Sequence, residues 1–539
     1  MLRLTLAGIK DRAAWENAGV ALPRYDIAAM RAHTENAPVW VHFGAGNIFR
    51  AYIARLQQEL LDAGLAKSGI VVAETYDTDI IGQIYEPYDN LALVVSLNPD
   101  GNTGKTVVAG VAEALRARPE DAGDMERLTA VFGNPALQIA SFTITEKGYA
   151  LRGMQGELLP AAEADMESGP DRARTAMGCL TALVYRRYRA GGYPLALLSL
   201  DNCSRNGEKL KDAVTAIAAA WRERGYADDG FIAYLADEGR VSFPWSMIDK
   251  ITPRPSADIA AELEGLGIAD MAPVKTDKNT YIAPFVNAEV PEYLVIEDRF
   301  PNGRPPLERA GVYMTDRDTV NKVERMKVTT CLNPLHTALA VYGCLLGYES
   351  IAGEMKDRDL VRLVEGIGYR ESLPVVEHPG ILEPVDFLRE VMEARLPNPY
   401  IPDTPQRIAT DTSQKIPIRF GETIKAYMQD ADRDPGSLVA VPLAIAGWLR
   451  YLLGVDDDLN PMALSPDPQL DDMRDALKGI TAGRPETYGG ELKSILRNPV
   501  LFAVDLYAAG LGDKIEAMFL SLIAGKGAVR RTLQKYLGE

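Results

Sequence analysis

The chain has 539 residues, 47% of them hydrophobic and 25% charged, with a formal net charge of −17. That length exceeds the ~250–300 residues at which single cores stop growing, so two domains are expected. The acidic balance excludes nucleic acid as a partner, because phosphate contact needs a basic footprint.

The first residues, MLRLTLAGIKDRAAWENAG, are interrupted by charge too early for a signal peptide. Residues 39–43 (VWVHF) form a short apolar run that ends at Gly44. Apolar residues then recur at helical spacing over 47–64, and a second apolar run, GIVVAET, follows at 69–75. This strand–turn–helix–strand order opens a doubly wound sheet. Further strands are predicted at 91–97, 106–111, 137–145 and 194–200, with helices over 171–190 and 206–224 between them. The alternation fades near residue 300, and helical periodicity dominates from 320 onward, at 334–347, 356–367, 384–395, 437–454, 469–479, 490–509 and 513–537. The predicted architecture is an α/β Rossmann-like N-terminal domain, residues 1–318, followed by an all-α C-terminal domain, residues 319–539.

The most apolar run, 437–454, contains Pro442 and Arg450 and reads as a core helix rather than a membrane span. A cytoplasmic protein with no membrane partner is expected. The four cysteines, Cys179, Cys203, Cys331 and Cys344, lack any CxxC spacing and read as reduced, buried thiols. The four histidines, His33, His42, His336 and His378, are dispersed without an HExxH, so no metal site is expected. No interface helix or heptad repeat stands out, which leaves a monomer or a weak homo-oligomer.

In GAGNIFR, Gly44 permits a tight turn and Gly46 lets the backbone approach a pyrophosphate. Asn47 and Ile48 open the helix whose N-terminus faces that anion. Phe49 stands where the usual third glycine would be, so the fingerprint is incomplete. Glu74 ends the second strand, where a carboxylate accepts hydrogen bonds from the adenosine ribose and repels a 2′-phosphate; Asp77 is the alternative. No arginine lies in AETYDTD, which favours NAD over NADP.

Residues 327–340, KVTTCLNPLHTALA, bring together Lys327, Asn333 and His336. A desolvated lysine can trade a proton with a substrate oxygen, and an amide with an imidazole can hold that oxygen as charge develops. A helix N-terminus beneath them disfavours protonated imidazole, so His336 can act as a neutral donor. The plainer reading makes Asn333 an N-cap, Pro334 the first helical residue and Lys327 a surface lysine.

The segment resembles the signature of the polyol-specific long-chain dehydrogenases, the mannitol dehydrogenase and fructuronate reductase family. Other segments follow in family order: GAGNIFRA, TITEKGY (143–149), DNCSRNG (201–207), MIDKITP (247–253), VIEDRF (295–300) and RIATDTSQKIPIR (407–419). The resemblance implies NAD-dependent, metal-independent hydride transfer in a cleft between two domains. Carried over by position, Lys327 is the general acid/base, Asn333 and His336 bind the reacting oxygen, and Asn202, Asp249, Arg407 and Lys415 line the substrate pocket. As plainer alternatives, Asp249 pairs with Lys250, Asn202 shapes a turn, and Arg407 and Lys415 are surface charges. The stretch from Lys327 to Asn333 is one residue longer than the family's spacing, which on a continuous helix would rotate the lysine by roughly 100°. A local bulge would restore it; Lys322 is the substitute. The likeness leans towards reduction of D-fructuronate to D-mannonate. Mannitol 2-dehydrogenase and tagaturonate reductase are the alternatives, and a nucleotide-binding sensor without chemistry is the rival of a different class.

Overall fold

The computed structural model describes residues 1–153 and 156–538. It divides into two compact units, one of residues 1–98 and 102–321, the other of 99–101 and 322–539.

The first unit is built on six strands, β1 (Trp40–Phe43), β2 (Ile70–Glu74), β3 (Val111–Arg116), β4 (Ile139–Phe142), β5 (Leu195–Ser199) and β6 (Val241–Ser242). They pair in the order β3-β2-β1-β4-β5-β6, every pairing parallel. That is the order of a doubly wound dinucleotide-binding sheet, and its switch point lies between β1 and β4. Alternate residues serve opposite layers: Val41, Phe43, Val71 and Ala73 join one buried cluster, Trp40, Ile70 and Val72 the other. Burial on both faces explains why β1, β2, β4 and β5 read as mostly apolar runs. The predicted strand 106–111 is in fact two. Thr103–Val108 pairs in a separate four-stranded sheet, while Val111 begins β3. The break falls at Gly110, where a Cβ would sit 2.5 Å from the Ala54 carbonyl oxygen.

The second unit is helical. Helix Asn333–Leu346 is buried along most of its length and packs on Ala440–Tyr451, all twelve of whose residues are buried. Gly447 makes that contact possible, since a Cβ there would lie 2.6 Å from the Tyr342 ring, whose hydroxyl donates to the Leu443 carbonyl at 2.8 Å. Arg450, the charge inside the apolar run, donates to the carbonyls of Val455, Asp456 and Leu522. The Glu371 carboxylate receives the backbone N–H groups of Val439, Ala440 and Val441, closing the N-terminus of the same helix.

Two predicted helices are broken. Residues 490–509 hold Leu492–Leu496 and Pro499–Phe502, parted at the proline, and 513–537 parts at Gly525 and Gly527, both at positive φ. Cys179, Cys331 and Cys344 are buried thiols, but Cys203 is only half-buried. Glu354 is fully buried against Gly343, and neither of its oxygens has a hydrogen-bond partner among the described residues. Burial, then the charge of Asp357, pushes its carboxyl up to about 9. Among the described residues no helix is long and apolar enough to cross a membrane.

Candidate active site

The chain leaves β1 at the switch point through Gly44, which sits at φ +106 with its ideal Cβ position 2.3 Å from the Thr143 carbonyl oxygen beyond β4. Only glycine fits there. At Gly46 a Cβ would meet nothing within 4 Å, so the backbone is open on that side. Asn47 and Ile48 begin the helix, and its leading N–H groups form the anion-binding end that a pyrophosphate requires. Asn47 also accepts from the buried Arg50 guanidinium at 2.8 Å.

Glu74 does more than the sequence suggested. Its Oε2 accepts from the Ala45 N–H at 2.8 Å, and its Oε1 from those of Thr75, Tyr76 and Asp77 at 3.0, 2.8 and 3.4 Å. The carboxylate therefore ties the glycine turn to the end of β2, and a ribose would have to share it. Asp77 is buried; its Oδ2 accepts from Thr276 at 2.7 Å, while Oδ1 has no partner among the described residues. Thr276 belongs to the hairpin Val274–Lys275 with Tyr281–Ile282, which also sets the Lys278 ammonium 5.4 Å from the centre of the exposed Tyr76 ring. A cation thus stands beside AETYDTD although none is in it.

Asn202 is exposed, between two residues that organise their surroundings. Asp201 accepts from the N–H groups of Ile144 and Thr145 at 3.0 and 2.8 Å and from the Tyr149 hydroxyl at 2.5 Å, joining DNCSRNG to TITEKGY. Asn206 donates to Ser246 and to the Asp201 carbonyl. Asp249 is buried at the end of Ser246–Asp249, its charge felt by the Tyr52 phenol. Its neighbour Lys250 turns to Glu292, at 2.8 Å, and to the Glu289 carbonyl.

The remaining predicted residues lie in the helical unit. Arg317–Met326 leads into a π-helical turn, Lys327–Cys331, before helix Asn333–Leu346 begins. A π-turn holds one residue more than an α-turn, so the extra residue between Lys327 and Asn333 is taken up locally. Lys327 is buried, not a surface lysine. Asn333 is not the N-cap either: Leu332 holds that position, at φ −128 and ψ −60. The Asn333 amide is therefore not committed to the cap.

His336 sits one turn in, with Nε2 3.1 Å from Asp403 Oδ2, a close approach off the line of a hydrogen bond. The other Asp403 oxygen accepts from Arg407. Lys415 donates to the carbonyls of Ile408, at 3.0 Å, and Thr410. Arg419 is half-buried beneath the start of the helix and donates to Thr337 Oγ1 at 2.5 Å and to the Asn333 carbonyl at 3.4 Å. Burial, then the charges of Arg419, Arg395, Arg407 and Lys415, push the His336 imidazole down to about 3. It is neutral at physiological pH. Burial also lowers the Arg419 guanidinium to about 10, and lowers the Lys415 ammonium.

Three members of this group escape sequence reasoning. Arg419 was within reach, since it closes the segment that carries Arg407 and Lys415. Asp403 and Arg395 carry no local signal, and only the tertiary fold brings them to His336. Among the described residues no cluster of three or more His, Cys, Asp or Glu is placed to hold a metal ion.

The two halves, a doubly wound dinucleotide-binding sheet and a helical unit with a lysine, an amide and a neutral imidazole, define a dehydrogenase. The chain belongs to the mannitol dehydrogenase family: residues 38–309 match the mannitol dehydrogenase Rossmann domain and 319–516 the mannitol dehydrogenase C-terminal domain. It is an oxidoreductase acting on CH–OH groups. The D-mannonate oxidoreductase of Thermotoga maritima is 54% identical over 540 residues, spanning 100% of this chain and 99% of the relative. A D-sorbitol dehydrogenase in substrate-free form superposes with a TM-score of 0.77 at 27% identity, over 95% of this chain and 97% of that one. Pseudomonas fluorescens mannitol 2-dehydrogenase, in a ternary complex with NAD and D-mannitol, superposes with a TM-score of 0.69 at 25% identity over 100% of both chains.

Proposed function

We propose that this protein interconverts D-fructuronate and D-mannonate with NADH or NAD. The observation that carries the reading is the 54% identity, end to end, with D-mannonate oxidoreductase. The cations around His336 support it, because a sugar acid brings a carboxylate that an uncharged polyol lacks. Lys415 and Arg407 are the candidates to face that carboxylate, Arg407 through the guanidinium N–H groups that its bond to Asp403 leaves over. Asn202 and Asp249 are candidates for the substrate's hydroxyls.

The nucleotide end fits NAD: Gly44 makes the turn, Gly46 is open to a pyrophosphate, Asn47 and Ile48 lead the helix, and Glu74 or Asp77 stands at the ribose end of β2. When bound, the cofactor supplies the hydride. The chain's own residues manage the proton and the charge. Asn333 donates to the carbonyl oxygen and stabilises it as it becomes an alkoxide. Lys327, buried and therefore sensitive to charge in its surroundings, gives its proton to that oxygen in reduction and takes it back in oxidation. His336, neutral, fixes the substrate's orientation without adding charge.

The test is the loss of NADH absorbance with D-fructuronate, D-tagaturonate and D-fructose in parallel, with Lys327→Ala as control. Fast turnover on fructuronate alone, abolished in Lys327→Ala with NADH binding intact, is the expected result. A preference for fructose would move the protein to mannitol 2-dehydrogenase activity, and near-normal turnover by Lys327→Ala would overturn the lysine's role. No turnover on any of the three would overturn the fructuronate reading and point to a keto-acid outside this set.

A further inference from the structure

We propose that Asp403 is a positioning residue that fixes the tautomer of His336, so that the imidazole receives a hydrogen bond from a substrate hydroxyl. The inference rests on the reading of His336 as a substrate-binding residue and specifies which atom binds what.

Asp403 is held in place before any substrate arrives. Its N–H donates to the Ile401 carbonyl at 2.8 Å, its own carbonyl accepts from the Ile351 N–H at 3.0 Å, and its Oδ1 accepts from Arg407. What remains is Oδ2, 3.1 Å from His336 Nε2. A carboxylate is an acceptor only, and a neutral imidazole carries one N–H. If the proton sat on Nδ1, two lone pairs would face each other across 3.1 Å in a buried site. With the proton on Nε2, a small swing of the ring brings N–H and Oδ2 into line. Nε2 itself is buried, so the 16% of the His336 side chain that remains exposed belongs to its other atoms.

That tautomer leaves Nδ1 with a lone pair. It cannot donate to a carbonyl oxygen, and it can accept from a C–OH. The sequence reading, in which Asn333 and His336 both donate to the reacting oxygen, is thereby divided. Asn333 and Lys327 serve the carbonyl, and His336 reads a neighbouring hydroxyl. The substrate class follows: a ketone with a hydroxyl next to or near the reacting carbon, as in keto-sugars and their acids. Ketones lacking that hydroxyl leave Nδ1 unpaired and are disfavoured.

Two measurements test this. In protein labelled with 15N at the histidine rings, the four imidazoles are resolved and His336 is assigned by its loss in His336→Gln. The expected signature is a neutral ring protonated at Nε2; protonation at Nδ1 overturns the proposal without requiring any Asp403 variant to fold. In Asp403→Asn, the new amide can donate to Nε2 and move the proton to Nδ1. Wild type is expected to turn over a deoxy substrate lacking the neighbouring hydroxyl at least ten-fold less efficiently than the parent. Asp403→Asn is expected to lose efficiency on the parent by a similar factor and to discriminate little between the two. Unchanged discrimination in Asp403→Asn, or wild-type efficiency on the parent, overturns the proposal. His336→Ala separates the layers. If it keeps full turnover, the assignment of His336 itself falls; if it loses turnover while Asp403→Asn does not, only the positioning role falls.

Discussion

Inserting an alanine after Thr329 tests whether the π-turn places Lys327. The turn Lys327–Cys331 contains one residue more than an α-helical turn. One more residue exceeds what a π-turn absorbs, and if the segment winds on as helix it turns Lys327 by about 100° against helix Asn333–Leu346 and shifts it by about 1.5 Å along the axis. With Cα atoms about 2.3 Å from the axis and a lysine chain reaching several Å further, the ammonium moves by on the order of 10 Å. No hydrogen bond survives that displacement, and loss of general acid–base catalysis costs roughly 10²–10⁴-fold in turnover. The assay is steady-state NADH oxidation, with NADH affinity from fluorescence quenching and folding from thermal melting. Thr329→Ala, which keeps the register and removes the hydroxyl's bonds to the Arg325 carbonyl and to Thr330 Oγ1, is expected to stay within a few-fold of wild type. A folded insertion variant with turnover within about ten-fold of wild type would refute the reasoning, because Lys327 would then be replaceable or the turn irrelevant to its placement.

Glu354 sets a pH dependence of stability. Its folded carboxyl is raised to about 9 from 4.5, so the unfolded chain ionises first and stability present below about pH 4.5 is lost as pH rises towards 9. The loss is about 1.4 kcal/mol per pH unit, or roughly 3 kcal/mol by pH 7. Urea midpoints at pH 5, 7 and 8 for wild type and Glu354→Gln should therefore diverge in the variant's favour, and a constant difference would show the carboxyl to be ionised in the fold. Gly44→Ala should weaken NADH binding at least ten-fold and cost roughly 1–3 kcal/mol in stability, read by calorimetry and melting, since both the φ of +106 and the Thr143 carbonyl oppose a Cβ. Arg419→Met removes the donor to Thr337 and to the Asn333 carbonyl; kcat/KM should fall by roughly 10–100-fold with NADH affinity unchanged. Lys278→Glu should reduce NADPH oxidation several-fold more than NADH oxidation, because a 2′-phosphate at the end of β2 would face that residue.

The nucleotide half was legible because β1, β2, β4 and β5 are mostly apolar runs and the turn after β1 is announced by glycine. What failed there failed for tertiary reasons. Val107 and Val111 look like one strand, and only the close approach of the Ala54 carbonyl to Gly110 divides them between two sheets. Thr276 and Lys278 reach the Asp77 turn across 199 residues of sequence, in a hairpin too short to show periodicity. In the helical half, Asn333 and Pro334 have the chemistry of a helix start, yet the π-turn moves the cap to Leu332. Lys327 could be named but not positioned, since the side of a helix on which it falls depends on that turn. Asp403 could not be named at all: a lone aspartate after a proline has no pattern, and its meaning comes from standing 3.1 Å from His336.

The four N–H groups gathered by Glu74 bear on how this chain could be redesigned. Exchanging the acid at the end of β2 is the obvious way to alter the preferred coenzyme of a doubly wound dehydrogenase. Here that exchange would release Ala45, Thr75, Tyr76 and Asp77 together and loosen the loop on which either coenzyme depends. The hairpin that carries Lys278 shares none of those bonds. It is the place where preference can be altered while the loop stays intact, and a library built there samples selectivity rather than unfolding.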